Sequence, residues 1–187
     1  MSNIKKDFKK DVEKRIGKVT EYVEPEILKN IVEPHLKKSR KVVEKDIDLI
    51  VTDTVILHKL CLGDSDERIW AYAMHHSQIN DDDPLDFFVM VDRQIIINPV
   101  ITRHSNYTKD SKEACMSFRG MEPVIVQRWQ KCEVEYQSIM IDPDNKDKFK
   151  LSSVVKESIS GQRAEVFQHE VDHGKSKFIY KLNENKK

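Results

Sequence analysis

A short run near the end of the chain, Gln168–His173, constrains the fold more than any other segment. Its sequence is Gln-His-Glu-Val-Asp-His, so on an α-helix His169 and His173 lie one turn apart on the same face. Two imidazoles in that arrangement can bind the same metal ion, and Glu170 can accept a proton from a water on that metal. The run therefore predicts a helix that carries two metal ligands and a general base. A surface helix with two solvated histidines is the alternative.

The residues around this run indicate where the helix begins and where a third ligand lies. The segment 158–167 contains one glycine and no proline, and Ser160 is a suitable N-cap. A tetrahedral catalytic metal needs a third protein ligand and an open position for water. Downstream of His173 the one acidic residue is Glu184, in a polar tail. We therefore expect the third ligand to come from upstream.

Among the cysteines, Cys115 is the best candidate for that ligand. It follows a polar stretch, residues 103–112, which we interpret as a loop. Cys61 closes an apolar run and Cys132 lies in an alternating segment, so both are predicted to be small core residues. Three cysteines without regular spacing also argue against a disulfide framework.

With these motifs in place, the chain resembles the peptide deformylases, metalloenzymes that remove the formyl group from the N-terminal methionine of new polypeptides. The family's glycine-rich motif ending in Gln corresponds to Ala71–Gln78, and its Glu-Gly-Cys-Leu-Ser motif corresponds to Glu113–Ser117. Its Gln-His-Glu-x-Asp-His motif is matched fully by Gln168–His173, and Ile95–Pro99 resembles its apolar strand ending in Asn-Pro. The resemblance covers roughly residues 40 to 181 and is most specific in the second and third motifs.

The resemblance implies one divalent metal ion, Fe(II) or Zn(II), bound by Cys115, His169 and His173. It also implies that metal-bound hydroxide attacks the formyl carbon while Glu170 acts as the general base. It assigns oxyanion stabilisation and substrate contact to a further set of groups: the side-chain amide of Gln78, the backbone N–H of Met116, and the substrate-contacting residues Tyr72, Ala73, Glu165 and Val166.

The chain departs from the family pattern in residues near the expected substrate. Family glycines are replaced by Ala71, Ala73 and Ala114, where glycine supplies an unusual torsion or a close backbone approach. One turn before His169, where the family lines its methionine pocket with an apolar residue, this chain has Glu165. We therefore expect the substrate preference to differ from the family more than the chemistry does.

Several polar residues have a site role as one of two interpretations. Asp172 either orients a metal ligand or forms a salt bridge at the helix surface. The resemblance suggests that Glu113 and Arg128 form an ion pair that supports the cysteine loop, whereas the sequence alone indicates two solvated charges. We interpret His75 and His76 as surface or half-buried residues, with a site role as the alternative.

The order of the predicted elements indicates an α+β domain, with antiparallel β-sheets packed around a central metal-binding helix and helices near the N-terminus. We predict helices over residues 4–19 and 47–58, a short helical piece between Pro25 and Pro34, and a turn at 142–145. The predicted strands are 87–91, 95–97, 124–129, 132–136, 149–155 and 178–180. We divide the chain into an N-terminal helical extension, residues 1–40, and a metallohydrolase domain, residues 41–187.

Composition and charge disfavour several functional classes. The chain has 32 basic and 32 acidic residues and a net charge of zero, so no broad field for nucleic acid or membrane is implied. No apolar run approaches the length of a membrane span, and residues 1–23 lack the apolar core of a secretory signal. We expect a cytoplasmic enzyme, with an organelle or the cytosol of a virus-infected host as alternatives. Formyl-methionyl peptides or nascent chains are the expected partners, and transient ribosome contact stays open.

Three functions remain open from the sequence. The first is a peptide deformylase, and the second is a hydrolase of the same mechanism on a different N-acyl peptide, which Glu165 motivates. The third is a catalytically silent metal-binding homologue. Retention of Glu170 argues against the third, because a purely structural metal site has no use for a general base.

Overall fold

The computed structural model describes residues 26–63 and 69–180, and these form an α+β fold. Within these ranges there are two α-helices, α1 (Ile47–Leu62) and α2 (Gly161–Gly174), and four short 3₁₀ turns: Glu26–Asn30, Glu44–Asp46, His76–Gln78 and Met116–Phe118. The strands are β1 (Ala73–His75), β2 (Phe87–Met90), β3 (Ile95–His104), β4 (Thr108–Glu113), β5 (Val124–Trp129), β6 (Lys131–Gln137), β7 (Ile139–Asp142), β8 (Asn145–Leu151) and β9 (Val155–Ser160).

The strands form one larger sheet and two ribbons, and all of the named pairs are antiparallel. The five-stranded sheet has the order β1-β2-β3-β6-β9, while β4 pairs with β5 and β7 pairs with β8. The predicted helix over residues 4–19 and the tail residue Glu184 lie outside the described residues. The division at residue 40 stays a prediction.

The five-stranded sheet has apolar side chains packed on both of its faces. In β2, Phe87 and Val89 belong to the cluster that includes α1, whereas Phe88 and Met90 belong to the cluster that includes α2. Successive side chains of a strand point to opposite faces, so a strand buried on both faces needs an uninterrupted apolar sequence. This is the physical reason for the Phe-Phe-Val-Met run.

Helix α2 lies on the second face of the sheet and presents its apolar stripe to it. It begins at Gly161 with Ser160 at the N-cap position, as predicted, although the serine side chain makes no capping hydrogen bond. Ala164, Phe167 and Val171 are spaced for one face and pack in the second cluster. Burying a side chain such as Phe167 contributes roughly 1.5–3 kcal/mol. The packing therefore fixes the rotation of the helix and, with it, the direction of the histidine face.

Several sequence predictions are confirmed. The helix predicted over 47–58 is α1, the strand predicted over 124–129 is β5, and the predicted turn separates β7 from β8. Cys61 and Cys132 are both buried in the apolar clusters. Within the described ranges, no helix has the length and apolar character needed to cross a membrane.

The predicted loop over residues 103–112 is wrong, because residues 103–104 end β3 and residues 108–112 belong to β4. Its charged composition hides an alternation in which Lys109, Ser111 and Glu113 are the less exposed residues. These three make their side-chain contacts with α2 or with the residues beside it. A strand whose inward face is polar gives no apolar period, so the pattern resembled a loop.

Two predicted strands near the C-terminus also need correction. The strand predicted over 149–155 is the end of β8 and the start of β9, because Ser152 leaves the ladder and exchanges hydrogen bonds with Ser138. Residues 178–180 do not form a strand. Their aromatic rings instead contact Phe118, at centroid distances of 5.6 Å for Phe178 and 5.0 Å for Tyr180.

Candidate metal centre

Cys115, His169 and His173 lie together, as predicted. Cys115 lies two residues after the end of β4, and the two histidines come from the middle and the end of α2. The distance from Cys115 Sγ to His173 Nε2 is 3.2 Å, and the candidate ligand atoms of the three residues all lie within 4.8 Å of one another. Cys115 and His173 are buried, and His169 is nearly so.

These residues fit a single metal ion. Metal–sulfur and metal–nitrogen bonds of about 2.3 Å and 2.0–2.1 Å place tetrahedral ligands roughly 3.5 Å apart, close to the spacing observed. A thiolate and two imidazoles suit several divalent ions, so the donor set does not identify the metal. The carboxylate atom Glu170 Oε2 is buried beside this group without a hydrogen-bond partner among the described residues. The group therefore combines three ligands with an unpaired polar atom.

On one side, His169 contacts a network of charges that we call the charged seam: the buried Glu113 and Arg128 and the partly exposed Asp172. His169 Nδ1 lies 2.9 Å from Glu113 Oε2. Arg128 donates two hydrogen bonds to the Glu113 carboxylate, at 2.8 and 2.9 Å, and a third to Asp172 at 2.6 Å. The ion pair suggested by the resemblance is present, and Asp172 forms its salt bridge with the same arginine.

The seam keeps Glu113 ionised and directs Nε2 of His169 toward the cysteine. Burial alone raises the pKa of Glu113, but hydrogen bonds from Arg128 and His169 outweigh burial and hold it at about 2. Burial lowers the pKa of His169, whereas its contacts with Cys115 and Glu113 raise it to about 10. A metal ion must displace that proton before His169 can bind it.

On the other side, His173 is held by packing against other rings. Its ring meets Phe178 edge-on at a centroid distance of 5.5 Å and is stacked 6.3 Å from His75. Burial lowers the pKa of His173 well below its usual value, so the imidazole is neutral, which is the form that binds metals. Its Nδ1 has no hydrogen-bond partner among the described residues.

The amide of Gln78 is held beside the ligand cysteine by its neighbours. Its Oε1 accepts a hydrogen bond from the backbone N–H of His75 at 2.8 Å. Its Nε2 donates to Ser117 Oγ at 3.0 Å and lies 3.9 Å from Cys115 Sγ. The donor end of this amide therefore faces the candidate metal site.

The remaining predicted site residues differ in their position in the fold and in their exposure. Met116 is the first residue of the 3₁₀ turn after the cysteine, so the turn does not use its backbone N–H. Ala73 is in β1 and buried, Tyr72 is half exposed just before that strand, and Val166 packs beside the second apolar cluster. Glu165 accepts a hydrogen bond from Ser111 at 2.8 Å and is also paired with Lys109.

The interpretation of His75 and His76 as surface or half-buried residues is wrong, because both are fully buried. His76 Nδ1 accepts from the backbone N–H of Leu85, and its Nε2 lies 3.0 Å from Asp53. His75 Nδ1 accepts from the backbone N–H of Ser77. These partners satisfy both ring nitrogens of His76 and Nδ1 of His75, whereas Nε2 of His75 has no hydrogen-bond partner among the described residues. The partners of His76 lie 9 and 23 residues away, so the local sequence could not identify them.

Sequence reasoning also missed the structural part played by Gln168, the first residue of the histidine run. Its Oε1 accepts from the backbone N–H of Trp129, and its Nε2 donates to the carbonyl of the same residue at 3.0 Å. The side chain thus completes the backbone hydrogen bonding at the end of β5 and joins that ribbon to α2. The local sequence could not identify this contact, because Trp129 is 39 residues away in the chain.

Comparison with known proteins agrees with this geometry. The sequence profile described as polypeptide deformylase matches residues 64–187. The chain belongs to the polypeptide deformylase family. A peptide deformylase of Thermotoga neapolitana is 33% identical over 78 residues, a match that covers 42% of this chain and 40% of that relative.

Solved deformylase structures share the fold at low sequence identity. The enzyme of Thermotoga maritima superposes with a TM-score of 0.61 at 24% identity, covering 82% of this chain and 88% of that one. The enzyme of the Vibrio parahaemolyticus bacteriophage VP16T, solved in complex with actinonin, gives 0.60 at 22% identity, covering 80% and 98%. A class I type b enzyme of Acinetobacter baumannii gives 0.62 at 17%, covering 80% and 94%. The fold of this chain therefore agrees with its family.

Proposed function

We propose that the protein is a metal-dependent hydrolase that removes the N-formyl group from formyl-methionyl peptides and nascent chains in the cytoplasm. The observation that carries the proposal is the convergence of Cys115, His169 and His173 within 4.8 Å, with the buried Glu170 next to the first histidine. Family membership supports the reaction class. A shared fold does not by itself establish a function, so the proposal depends on the geometry of this chain's own residues.

The protein's own residues supply the groups that a formyl hydrolysis requires. A divalent ion held by Cys115, His169 and His173, either Fe(II) or Zn(II), would act as a Lewis acid and make water a better nucleophile. Glu170 would take up a proton from the attacking water and return it to the amine that leaves when the formyl C–N bond breaks. Its near-complete burial, with 3% of its surface exposed, keeps bulk water from competing for the proton.

We assign stabilisation of the oxyanion that forms on the formyl oxygen to Gln78 and Met116. The Gln78 amide is already oriented by His75 and Ser117, so it needs no reorganisation when charge develops. The N–H of Met116 is available because it begins a turn. Losing one donor of this kind costs about a hundred- to a thousandfold in kcat.

A peptide substrate fits the edge of the large sheet. Among the described strands β1 pairs with β2 alone, so its outer edge offers backbone N–H and C=O groups to an extended chain. Ala73 lies on this edge strand, Tyr72 precedes it, and Val166 packs against the apolar cluster that includes Ala73. We assign substrate contact to these three residues and to Glu165.

A second candidate is the same chemistry on a different N-acyl peptide. Glu165 favours it, because a partly buried carboxylate next to the metal-ligand face is a poor wall for an apolar methionine side chain. A catalytically silent homologue is a third candidate, which the buried and unpaired Glu170 makes less suitable.

The test is turnover by protein purified without oxygen, because a thiolate and a ferrous ion are both oxidised in air. Formyl-Met-Ala-Ser should be hydrolysed, and acetyl-Met-Ala-Ser should not be. Preference for the acetyl peptide would establish the second candidate. Absence of turnover on either peptide, with one metal bound per chain, would establish the silent homologue.

Two variants connect turnover to the named residues. Glu170→Gln should keep one metal per chain and lose nearly all turnover, whereas Cys115→Ala should lose the metal. Glu135→Gln is the matched control, since Glu135 is on β6 and pairs with Lys156. The ligand assignment is wrong if Cys115→Ala retains stoichiometric metal and full turnover.

A further inference from the structure

The 3₁₀ turn that carries Gln78 is connected to helix α1 by one buried side chain. That side chain is His76, the first residue of the turn, which is fully buried. Its Nδ1 accepts a hydrogen bond from the backbone N–H of Leu85 at 2.8 Å, and its Nε2 lies 3.0 Å from Asp53 Oδ2 on α1. We call His76 and Asp53 the anchoring pair.

These contacts fix the protonation and the orientation of the His76 ring. Because Nδ1 accepts the backbone N–H, the proton of the neutral imidazole is on Nε2. Burial lowers the pKa of His76 below its usual value, so the ring is neutral near neutral pH. Nε2 therefore donates to the Asp53 carboxylate, and the ring also stacks on Phe87 at a centroid distance of 4.8 Å.

The position of Asp53 in α1 shows that its carboxylate needs a partner. Ile50, Asp53, Leu57 and Leu60 are spaced for one face of the helix, and the three apolar members of this set are fully buried. The Asp53 side chain is 14% exposed, and a carboxylate so largely removed from water is costly unless a hydrogen bond compensates it. His76 provides that hydrogen bond.

The backbone of His76 closes the turn around Gln78. Its carbonyl accepts hydrogen bonds from the backbone N–H groups of Ile79 and Asn80, at 3.0 and 3.1 Å. Gln78 lies within the loop that these bonds close, and its Oε1 accepts from the backbone N–H of His75, the residue before the anchoring pair's histidine. The location of the Gln78 amide therefore depends on where His76 lies, and the His76 ring connects that location to α1.

We propose that Asp53 and His76 are positioning residues for the Gln78 amide, with α1 as their support. The proposal rests on the proposed function, in which this amide donates to the oxyanion. A preorganised donor stabilises the oxyanion without moving when charge develops, and a misplacement of about 1 Å can cost about a hundredfold in rate. Removing the anchoring contact should therefore lower kcat, although neither residue belongs to the candidate ligand group.

The first experiment measures kcat and KM for formyl-Met-Ala-Ser with two variants of Asp53. Asp53→Ala leaves His76 Nε2 without its acceptor, so we expect kcat to fall about 10- to 100-fold while KM stays within about twofold. Asp53→Asn retains an acceptor oxygen, so its kcat should stay within about threefold of the wild type. Equal losses of kcat in the two variants would overturn the proposal.

A double-mutant cycle with Gln78→Ala separates positioning from a general structural role. If the anchoring pair acts through the Gln78 amide, Asp53→Ala has no further effect once that amide is absent. We therefore expect Gln78→Ala and the double variant to have the same kcat within about twofold. If Asp53→Ala lowers kcat as much in the Gln78→Ala background as in the wild type, the two residues act independently and the proposal is wrong.

Tyr136→Phe is the matched control, because it removes one hydrogen bond between partly buried groups in another part of the fold. Tyr136 Oη donates to Glu157 at 3.0 Å, the same length as the contact of His76 with Asp53. This bond joins β6 to β9, so we expect kcat to be unchanged. A fall in kcat as large as that of Asp53→Ala would mean that lost stability, rather than the position of Gln78, lowers turnover.

The side-chain amide of Gln78 gives a readout that does not depend on turnover. Its resonances in a proton–nitrogen correlation spectrum are identified by their absence in Gln78→Ala. They should shift in Asp53→Ala and keep their wild-type positions in Tyr136→Phe. If the wild type hydrolyses the formyl peptide but these resonances do not move in Asp53→Ala, the positioning proposal fails and the proposed function stands. If the wild type hydrolyses no formyl peptide, the proposed function fails, and the catalytic role of the anchoring pair fails with it.

Discussion

The two sides of the metal site hold identical ligands by different means. His169 is oriented by hydrogen bonding, since Glu113 fixes its Nδ1 and Arg128 fixes Glu113. His173, one turn further along the same helix, is oriented by packing against Phe178 and by burial, with no hydrogen bond to its Nδ1 among the described residues. One helix face therefore presents His169, whose orientation depends on charged partners, and His173, whose orientation depends on packing.

This difference indicates how each side should respond to substitution. A hydrogen-bonded network of buried charges loses much when one member is removed, because the remaining charges stay buried without compensation. Packing around a neutral ring loses only the contacts that are deleted. Variants on the two sides can therefore separate the two modes of support.

The largest effect should come from Arg128→Met. This change leaves the carboxylates of Glu113 and Asp172 without their shared partner, and breaking a buried pair in this way costs about 3–5 kcal/mol. Chemical denaturation of the metal-free protein measures the free energy of unfolding directly. Arg163→Met is the control, since its pair with Glu157 is more exposed and should cost about 1 kcal/mol or less. Equal losses in the two variants would contradict the distinction.

The next effect should come from Glu113→Gln, which keeps a hydrogen-bonding group beside His169 and removes the charge. Loss of a carboxylate behind a ligating histidine lowers metal affinity about 10- to 100-fold. Competition with a chelator of known affinity measures the change, and circular dichroism checks that the fold is intact. Unchanged affinity would mean that the orientation of His169 does not depend on the seam.

A smaller effect is expected on the packed side from Phe178→Leu. The substitution removes the edge contact of the phenyl ring with His173 and its contact with Phe118. Such aromatic contacts contribute about 0.5–1.5 kcal/mol each, so we expect a modest loss of stability and a change in metal affinity of only a few-fold. A fall in affinity as large as that of Glu113→Gln would show that the two histidines are supported alike.

The smallest effect concerns Asp46, whose arginine partner is partly exposed. The hydrogen bond from Arg40, supported by one from the backbone of Val43, lowers the pKa of Asp46 below its usual 3.8. A lowered pKa in the folded state stabilises the protein above pH 3.8, and this contribution is lost as the pH falls through the folded-state value. Because Arg40 is partly exposed, we expect Asp46→Asn to cost about 1 kcal/mol at neutral pH.

Measurement of unfolding free energy against pH tests this expectation. The difference between wild type and Asp46→Asn should be constant near neutrality and shrink below pH 3.8. A difference that grows on acidification would have the wrong sign for a lowered pKa.

The local sequence predicted the elements in which the apolar residues themselves follow a helical or strand pattern. α1 and α2 each carry an apolar stripe, and β5 is a short run between turns, so these were found close to their observed bounds. β4 was missed because its inward side chains are polar, and Phe178–Tyr180 was assigned to a strand because aromatic residues favour strands without determining them.

The sequence by itself determined the chemistry of the metal ligands. Two histidines one turn apart on a helix share a face in any fold, and a family motif supplied Cys115 as the third ligand. The environment of those ligands was decided only by tertiary structure. The charged seam and the contact of Ser111 with Glu165 join segments tens of residues apart in the chain, and His75 and His76 are buried only in the folded protein. The strength of such contacts depends on the solvent exclusion that packing alone produces.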